Sequence, residues 1–448
     1  MKKNITIVGA GLCGSMLAVK MAKLGHTVQV FEKRSDLRKT DISAGRSINL
    51  ALSARGMSAL AKIGLADQAS KLCIPMYGRM IHGIDGSQNF FSYSGRKDEY
   101  INSVSRGGLN ALLLDSAEND ESISLHFEHA CTHVSYQANR CSFSHLGQNI
   151  DIQSDAIFGT DGAGSEVRKA MMARTPELLF NYSQDFLRHG YKELSIPPDE
   201  HGNHRIDKHA LHIWPRGSFM IIALPNLDGS FTVTMFHPYA GALGFDDLTT
   251  SEKVYQLFET YFPDLLDLIP DISKEYFSNP VSNLGTIKCY PWYAGPTTLL
   301  MGDAAHAIVP FYGQGMNASF EDVAVWSEVL ENHGNDMASA MHHFAEIRKK
   351  DADAIADLAI DNFYEMRDHV ANPIFAEKRK LELALEQNIP AYYSKYAMVT
   401  FRPDLPYSEA MRLGRKQDEI LLDLCKNGRH QSMNLSEVHQ YLLAELQK

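Results

Sequence analysis

Two glycine-rich segments hold the residues of this 448-residue chain that are best suited to chemistry. The first, GAGLCG, spans residues 9–14, and the second, GDAAHAIVPFYGQGMNASFED, spans residues 302–322. Glycine permits tight turns and close approach of a ligand to the backbone, and a helix that begins after such a turn offers amide groups to an anion. If each segment cradles a nucleotide, the protein binds either two nucleotides or one long nucleotide at both of its ends.

The first segment lies within the pattern of a βαβ dinucleotide-binding unit. An apolar run precedes it, a helical pattern follows it, and a second apolar run ends at Glu32. In such a unit Gly9 permits the turn, Gly11 lets a pyrophosphate approach, and Gly14 lets the helix pack on the strand. Glu32, about 20 residues after Gly11, is placed to accept a hydrogen bond from a ribose hydroxyl. Its negative charge disfavours a 2′-phosphate at the same position. This turn is predicted to bind FAD or NAD rather than NADP.

The second segment suits the other end of FAD. Apolar residues 298–301 predict a strand that leads to Asp303, whose carboxylate can accept hydroxyl groups of a sugar-like chain. A helix is predicted to begin after the next glycines, and the amides of Gly315, Met316 and Asn317 offer partial positive charge where a flavin becomes anionic on reduction. One FAD explains both segments, with its adenosine and pyrophosphate at the first and its ribityl chain and isoalloxazine ring at the second.

The order of predicted elements indicates an α/β fold of mixed α+β character. Residues 123–164 alternate like strands and end in a third glycine turn, and residues 210–238 predict an antiparallel meander. Helical periodicity dominates after about residue 321. The predicted parts are a discontinuous Rossmann-like FAD-binding domain at 1–72, 100–178 and 280–325, an inserted antiparallel-sheet substrate domain at 73–99 and 179–279, and a C-terminal helical region at 326–448.

Composition and charge disfavour several other classes. The formal net charge of −11 argues against nucleic acid or an anionic membrane as the main partner. The six cysteines form no C-x-x-C pair, and the EHACTH segment at 128–133 is better explained as a strand than as a metal site. Without a secretory signal pattern or an apolar run of membrane-spanning length, we expect a cytoplasmic protein with no metal and no membrane anchor.

Three motifs resemble those of the single-component flavoprotein aromatic hydroxylases, which have the para-hydroxybenzoate-hydroxylase fold. They are GAGLCG at 9–14, GTDGAGSEVR at 159–168 and GDAAHAIVPFYGQGMNASFED at 302–322. Further segments resemble the kynurenine 3-monooxygenases of that family: GRSINLALSARG at 45–56, GRMIHG at 78–83, YINSVSR at 100–106, HGYKEL at 189–194 and YAMVTF at 396–401. The chain ends in VHQYLLAELQK, a short amphipathic stretch that resembles the soluble bacterial form rather than relatives with a hydrophobic C-terminal anchor.

The resemblance implies an enzyme that contains FAD and uses NADPH and O2 as co-substrates. Its substrate would be L-kynurenine, which a C4a-hydroperoxide of the reduced flavin would convert to 3-hydroxy-L-kynurenine. No side chain is assigned as catalytic acid or base, because the aniline nitrogen of kynurenine already activates the neighbouring ring carbon. A hydroxylase of another aromatic acid, an NADPH oxidase and a flavin-binding protein without turnover stay open as alternatives.

The same resemblance implies roles for individual residues. Substrate contacts fall on Arg79, Tyr93, Asn362 and Tyr396, and a guanidinium fork with tyrosine hydroxyls suits the carboxylate of an amino acid. The wall between flavin and substrate ring is implied at Pro310, Phe311 and Gln314, and the middle motif contributes Asp161. Further FAD contacts are implied at Cys13, Phe31, Glu32, Lys33, Arg34, Ala51, Arg106, Cys131, Asp303, Met316 and Asn317.

Overall fold

The computed structural model describes residues 2–39, 49–365 and 373–448. Residues 45–48 of the GRSINLALSARG motif lie outside the described residues. The helices are α1 Leu12–Lys23, α2 Ala54–Ala61, α3 Ala66–Ser70, α4 Arg106–Glu118, α5 Glu166–Met172, α6 Thr175–Leu178, α7 Ser251–Tyr261, α8 Pro263–Leu266, α9 Ile272–Ser278, α10 Asp303–His306, α11 Gly315–Asn332, α12 Met337–Tyr364, α13 Pro373–Asn388, α14 Lys395–Phe401, α15 Tyr407–Lys426 and α16 Leu435–Leu446.

The strands alternate with helices in the first part of the chain and follow one another directly in the middle. They are β1 Asn4–Val8, β2 Thr27–Phe31, β3 Asn49–Leu52, β4 Cys73–Met76, β5 Gly78–His82, β6 Gln88–Ser92, β7 Ile101–Ser105, β8 Ile123–His126, β9 Ala130–Ser135, β10 Arg140–His145, β11 Gln148–Gln153, β12 Ala156–Gly159, β13 Asn181–Ile196, β14 Ala210–Arg216, β15 Phe219–Pro225, β16 Phe231–Pro238, β17 Ser282–Tyr290, β18 Tyr293–Ala294 and β19 Thr298–Leu300. The mixed α/β class predicted from the sequence is confirmed.

The chain divides into two compact units, each built from three segments. The C-terminal helical residues are shared between the units, with the division after residue 356. The first unit contains Met1–Leu72, Val104–Phe186 and Gly285–Ala356, and the second unit contains Cys73–Ser103, Leu187–Leu284 and Asp357–Lys448.

A six-stranded sheet in the order β18-β19-β12-β1-β2-β8 lies at the centre of the first unit. All of its neighbours pair in parallel except β18 and β19. Ile7 of β1 and Val28 of β2 are fully buried, as expected for parallel strands. The predicted βαβ unit is confirmed as β1, α1 and β2. The three glycine turns follow β1, β12 and β19, so they lie at the carboxyl edge of neighbouring strands.

The second unit contains a sheet with β13, β16, β15, β14, β5 and β6 in this order. Strands β14, β15 and β16 pair antiparallel, which confirms the predicted meander, and β5 pairs in parallel with β14. Trp214, Ile221 and Val233 from this sheet form a buried core with Phe258 of α7 and Ile272 of α9. The sheet therefore gives β5, which contains Arg79, a rigid support.

Helices α13, α15 and α16 form a separate small core in the second unit. Its fully buried side chains include Leu385, Leu421 and Val438. Within the described ranges, no helix combines the length and apolar character that a bilayer crossing requires.

Candidate active site

The first glycine turn has the geometry of a nucleotide-binding loop. Gly9 has a φ of +101°, which favours glycine, and its amide donates to the Phe31 carbonyl at 2.8 Å. A Cβ at Gly14 would lie 2.0 Å from the Gly9 oxygen, whereas a Cβ at Gly11 would meet no atom within 4 Å. Gly14 thus permits close packing of α1, and Gly11 faces open space into which a phosphate could fit.

A cavity of ≈ 580 Å³ adjoins this turn within the first unit. Its volume suits one part of a large cofactor. Three predicted FAD contacts line it: Glu32, Lys33 and Arg34. Ala10, Asn110 and Glu128 also line it and were not predicted. The open space beside Gly11 and this cavity together fit the adenosine and pyrophosphate of FAD.

Glu32 is a buried carboxylate at the end of β2. Its Oε2 atom accepts from the Ala10 amide at 3.0 Å, and its Oε1 atom accepts from the Arg34 amide at 3.0 Å and from Arg34 Nε at 2.8 Å. Burial alone would raise the pKa of Glu32, but the hydrogen bonds and charge of Arg34 outweigh it and lower the pKa. A carboxylate offers about four lone-pair positions, so an acceptor position is left for a ribose hydroxyl.

Phe31 supports the first glycine turn with its backbone carbonyl, while its ring packs in the core. Its ring stacks between Phe143 at 4.0 Å and His126 at 4.5 Å, and it is only 3% exposed. The side chain therefore belongs to the core, and the Phe31 backbone carbonyl is the part that contacts the glycine turn.

The second glycine turn is held by a buried carboxylate that the sequence analysis did not select. Asp322 Oδ2 accepts from the Gly302 amide at 3.0 Å and pairs with His306 Nε2 at 2.5 Å, and Asp322 Oδ1 accepts from Arg348 Nε at 3.0 Å. Burial opposes the charge, but His306 and Arg348 outweigh it and lower the pKa of Asp322. The ionised carboxylate fixes the turn that presents the exposed Asp303.

Cys13 brings the two glycine turns together within the first unit. Its Sγ lies 3.8 Å from the Ser319 carbonyl oxygen, and a Cβ at Gly302 would approach the same sulfur to 3.1 Å. Burial, with the nearby Asp322 and Asp303, raises the pKa of the Cys13 thiol, so Cys13 packs as a small neutral side chain. The proximity of the turns fits one FAD that spans both.

Helix α11 begins directly after the second turn. Gln314 occupies its N-cap without a capping side chain, so the amides of residues 315–317 have no partner inside the helix. The Asn317 side chain accepts from the Ser53 amide at 3.0 Å and donates to the Ala51 carbonyl at 2.8 Å. Asn317 therefore ties β3 to α11, and its backbone amide is the group that suits an anionic ligand.

The loop before α11 contains the three residues expected to form the wall. Pro310 is exposed, whereas Phe311 is 8% and Gln314 is 1% exposed. Pro310 and Phe311 lie in a short 3-10 turn, which gives this segment a defined shape.

Asp161 follows β12 in the third glycine turn. Its Oδ2 accepts from the Glu166 amide at 2.6 Å, while its buried Oδ1 has no hydrogen-bond partner among the described residues. Burial raises the pKa of Asp161. An unpartnered buried oxygen at the edge that carries all three turns is the kind of group that a bound ligand satisfies.

Two further predicted contacts, Arg106 and Cys131, also lie in the first unit. Arg106 is exposed at the first position of α4. Cys131 lies on β9, and burial raises the pKa of its thiol to about 12, so it is a neutral thiol near neutral pH.

Three of the four predicted substrate residues come together in the second unit. The Arg79 guanidinium carbon lies 4.5 Å from the ring centroid of Tyr396 and 5.5 Å from that of Tyr93. The two rings stack with centroids 5.7 Å apart at 13°. We call Arg79, Tyr93 and Tyr396 the clamp. Asn362 lies in α12 of the same unit and is 6% exposed.

The Tyr93 hydroxyl is the most distinctive polar group of the clamp. Tyr93 is 2% exposed, and its hydroxyl has no hydrogen-bond partner among the described residues. Burial raises the pKa of Tyr93 well above its ordinary value, so the hydroxyl stays protonated and able to donate. The half-buried Arg79 cation beside an unpartnered hydroxyl suits a ligand with an anionic end.

The parallel sheet and its three glycine turns, together with the separate antiparallel-sheet unit, define an FAD-binding flavoprotein. The FAD binding domain family matches residues 2–343. Kynurenine 3-monooxygenase of Dictyostelium discoideum is 43% identical and covers 100% of this chain and 98% of its own length. The enzyme of that name from Flavobacterium johnsoniae is also 43% identical, over 99% of both chains. This chain belongs to the kynurenine 3-monooxygenase family.

Solved structures of two oxygenases share the fold. The structure of 2-methyl-3-hydroxypyridine-5-carboxylic acid oxygenase has a TM-score of 0.68 at 19% identity and covers 88% of this chain and 99% of its own. That of p-nitrophenol 4-monooxygenase PnpA from Pseudomonas putida has a TM-score of 0.66 at 16% identity and covers 94% of this chain and 97% of its own. The predicted para-hydroxybenzoate-hydroxylase type of fold is confirmed.

Proposed function

We propose that this protein hydroxylates L-kynurenine at C3 with NADPH and O2, releasing 3-hydroxy-L-kynurenine, NADP+ and water. The observation that carries the proposal is the clamp, since a half-buried guanidinium flanked by two tyrosines suits the carboxylate of an amino acid. The full-length similarity to kynurenine 3-monooxygenases supports the same substrate. The cysteine usage of the sequence supports a cytoplasmic location.

The first unit is assigned to the cofactor. Bound FAD, after reduction by NADPH, supplies the activated oxygen atom for the transfer. The backbone amides at the start of α11 provide positive potential for the flavin ring, and Glu32 accepts a hydrogen bond from the ribose hydroxyl. The residues assigned to FAD are Gly9, Gly11, Cys13, Gly14, Phe31, Glu32, Lys33, Arg34, Ala51, Arg106, Cys131, Asp161, Asp303, Gly315, Met316 and Asn317, with Pro310, Phe311 and Gln314 as the wall toward the substrate ring.

The second unit is assigned to the substrate. Arg79 binds the carboxylate with its planar fork, and the Tyr93 hydroxyl donates a further hydrogen bond. Tyr396 and Asn362 complete the polar set. These side chains orient the aromatic ring, and the burial of Tyr93 and Asn362 helps to keep water out of the site. The aniline nitrogen activates C3, so the chain need not supply a base.

Glu32→Gln tests the adenosine end of the site. The glutamine side chain keeps one acceptor oxygen but loses the negative charge that pairs with Arg34. It also loses the second carboxylate oxygen, which leaves fewer positions to accept a hydrogen bond from the ribose hydroxyl. We expect the dissociation constant for FAD to rise about tenfold, measured by fluorescence quenching on the apoprotein. Glu177→Gln, which alters an exposed pair with Arg174, is the matched control and should leave FAD binding unchanged. Equal affinity of the Glu32 variant and wild type would contradict the assignment.

The proposed reaction is tested by following NADPH oxidation with and without L-kynurenine and identifying the product by mass. A kynurenine-stimulated rate with matching 3-hydroxykynurenine is expected. Rapid NADPH oxidation that yields hydrogen peroxide with every aromatic compound would instead define an oxidase. A hydroxylated product from another aromatic acid alone would move the proposal to that substrate, and FAD binding without turnover would define a non-catalytic flavoprotein.

A further inference from the structure

A buried glutamate joins the two segments that carry the tyrosines of the clamp. Glu386 lies in α13 and is 3% exposed. Its Oε2 accepts from the Gly95 amide at 3.2 Å, and its Oε1 accepts from the Ser394 amide at 3.1 Å. Gly95 comes two residues after Tyr93, and Ser394 comes two residues before Tyr396. One carboxylate therefore spans the gap between the backbones that hold the two rings.

The Tyr93 side of this bridge is packed directly against α13. A Cβ at Gly95 would lie 2.7 Å from the Gln387 amide nitrogen and 2.9 Å from the Glu386 carbonyl carbon. Arg379 of the same helix donates to the Tyr93 carbonyl at 3.1 Å. The close approach and the second hydrogen bond fix the segment after β6 to α13, so the position of Tyr93 depends on this helix.

The Tyr396 side of the bridge is the start of α14. Ser394 is the N-cap of this helix, and its side chain accepts from the Ala397 amide at 3.2 Å. The hydrogen bond from the Ser394 amide to Glu386 therefore sets where α14 begins. Because Tyr396 lies in the first turn of α14, this bond also sets where its ring stands relative to Tyr93.

We propose that Glu386 is a positioning residue that fixes the spacing of Tyr93 and Tyr396 around Arg79 and thereby sets the affinity for L-kynurenine. The proposal rests on the proposed function for the identity of the ligand. A carboxylate can accept from two amides at once, whereas the glutamine side chain has one acceptor oxygen and places an NH2 donor against the second amide. Hydrogen bonds to a charged acceptor are also about twice as strong as neutral ones.

The test compares Glu386→Gln with wild type in the FAD-loaded protein. We expect the dissociation constant for L-kynurenine, measured by calorimetry, to rise about tenfold. Hydrogen exchange should become faster in the peptides that contain Gly95 and Ser394. The dissociation constant for FAD should not change, because the residues assigned to FAD lie in the first unit.

Two further variants separate positioning from general damage. Glu386→Asp keeps the charge but is one methylene shorter, so it should also fail to span both amides and weaken kynurenine binding. Glu377→Gln alters another carboxylate of α13, which pairs with His430 at 2.8 Å, and it should behave as wild type.

The outcomes distinguish this proposal from the function on which it rests. Unchanged kynurenine affinity in Glu386→Gln, full activity of Glu386→Asp, or an equal loss of FAD affinity would each overturn the positioning role. If the wild type binds no kynurenine, the proposed function fails. Hydrogen exchange in Glu386→Gln then tests only whether Glu386 holds the Gly95 and Ser394 amides. Faster exchange at both peptides supports this role, and unchanged exchange overturns it.

Discussion

Replacement of Arg79 by alanine is expected to weaken L-kynurenine binding about a hundredfold. Removing one partner of a buried charge pair costs about 2–5 kcal/mol, which includes the carboxylate left without a partner, and the expected loss lies toward the low end because Arg79 is half-buried. The Arg79 guanidinium stands over both clamp rings, so no short side chain can replace its fork at this position. Calorimetry gives the dissociation constant, and the steady-state KM for L-kynurenine should rise in parallel.

Arg79→Lys is the graded control for this variant. Lysine keeps the charge but not the planar pair of donors, so it should bind kynurenine more weakly than wild type and more tightly than Arg79→Ala. Both variants should retain FAD, because Arg79 lies in the second unit. An Arg79→Ala protein with full FAD content and unchanged kynurenine affinity would remove Arg79 from the substrate site.

Replacement of Asp322 by alanine is expected to lower the free energy of unfolding by about 3 kcal/mol, because buried Arg348 and His306 lose a charged acceptor. Arg348 keeps its longer contacts to Glu321 and Asp351, so the loss is smaller than for a fully unpaired charge. Arg348 and His306 are 1% and 3% exposed, and both point to this carboxylate. The Gly302 amide would lose its acceptor as well, so the turn that presents Asp303 should loosen and FAD affinity should fall. Denaturant unfolding of the apoprotein and FAD titration measure the two effects.

Glu328→Gln is the matched control for Asp322→Ala. Glu328 forms an exposed pair with Lys62, and exposed pairs contribute about 0–1 kcal/mol. This variant should unfold close to wild type and bind FAD normally. If Asp322→Ala were as stable as Glu328→Gln, the buried carboxylate would not hold the second turn.

Local patterns made much of the first unit predictable. An apolar strand, a glycine turn and a helix with regularly spaced apolar residues are set by residues close in sequence, so β1, α1 and β2 could be placed from the sequence. The meander of β14, β15 and β16 was equally predictable, since turn residues separate its apolar runs.

The residues that support the site were not predictable in this way. Asp322 stands in a quoted motif, but its partner Arg348 lies in α12, and no spacing rule links the two. Glu386 is one of three glutamates in α13, and only the fold shows that it alone meets the Gly95 and Ser394 amides. Burial of a carboxylate requires partners from distant segments, and single-sequence periodicity does not identify such partners.

The most direct test of the proposed hydroxylation is to supply L-kynurenine and NADPH with isotopically heavy O2 and determine the mass of the product by mass spectrometry. We expect 3-hydroxy-L-kynurenine that contains one heavy oxygen atom, formed in proportion to the NADPH consumed. A product without the heavy atom, or NADPH consumption that yields only hydrogen peroxide in the presence of kynurenine, would contradict it.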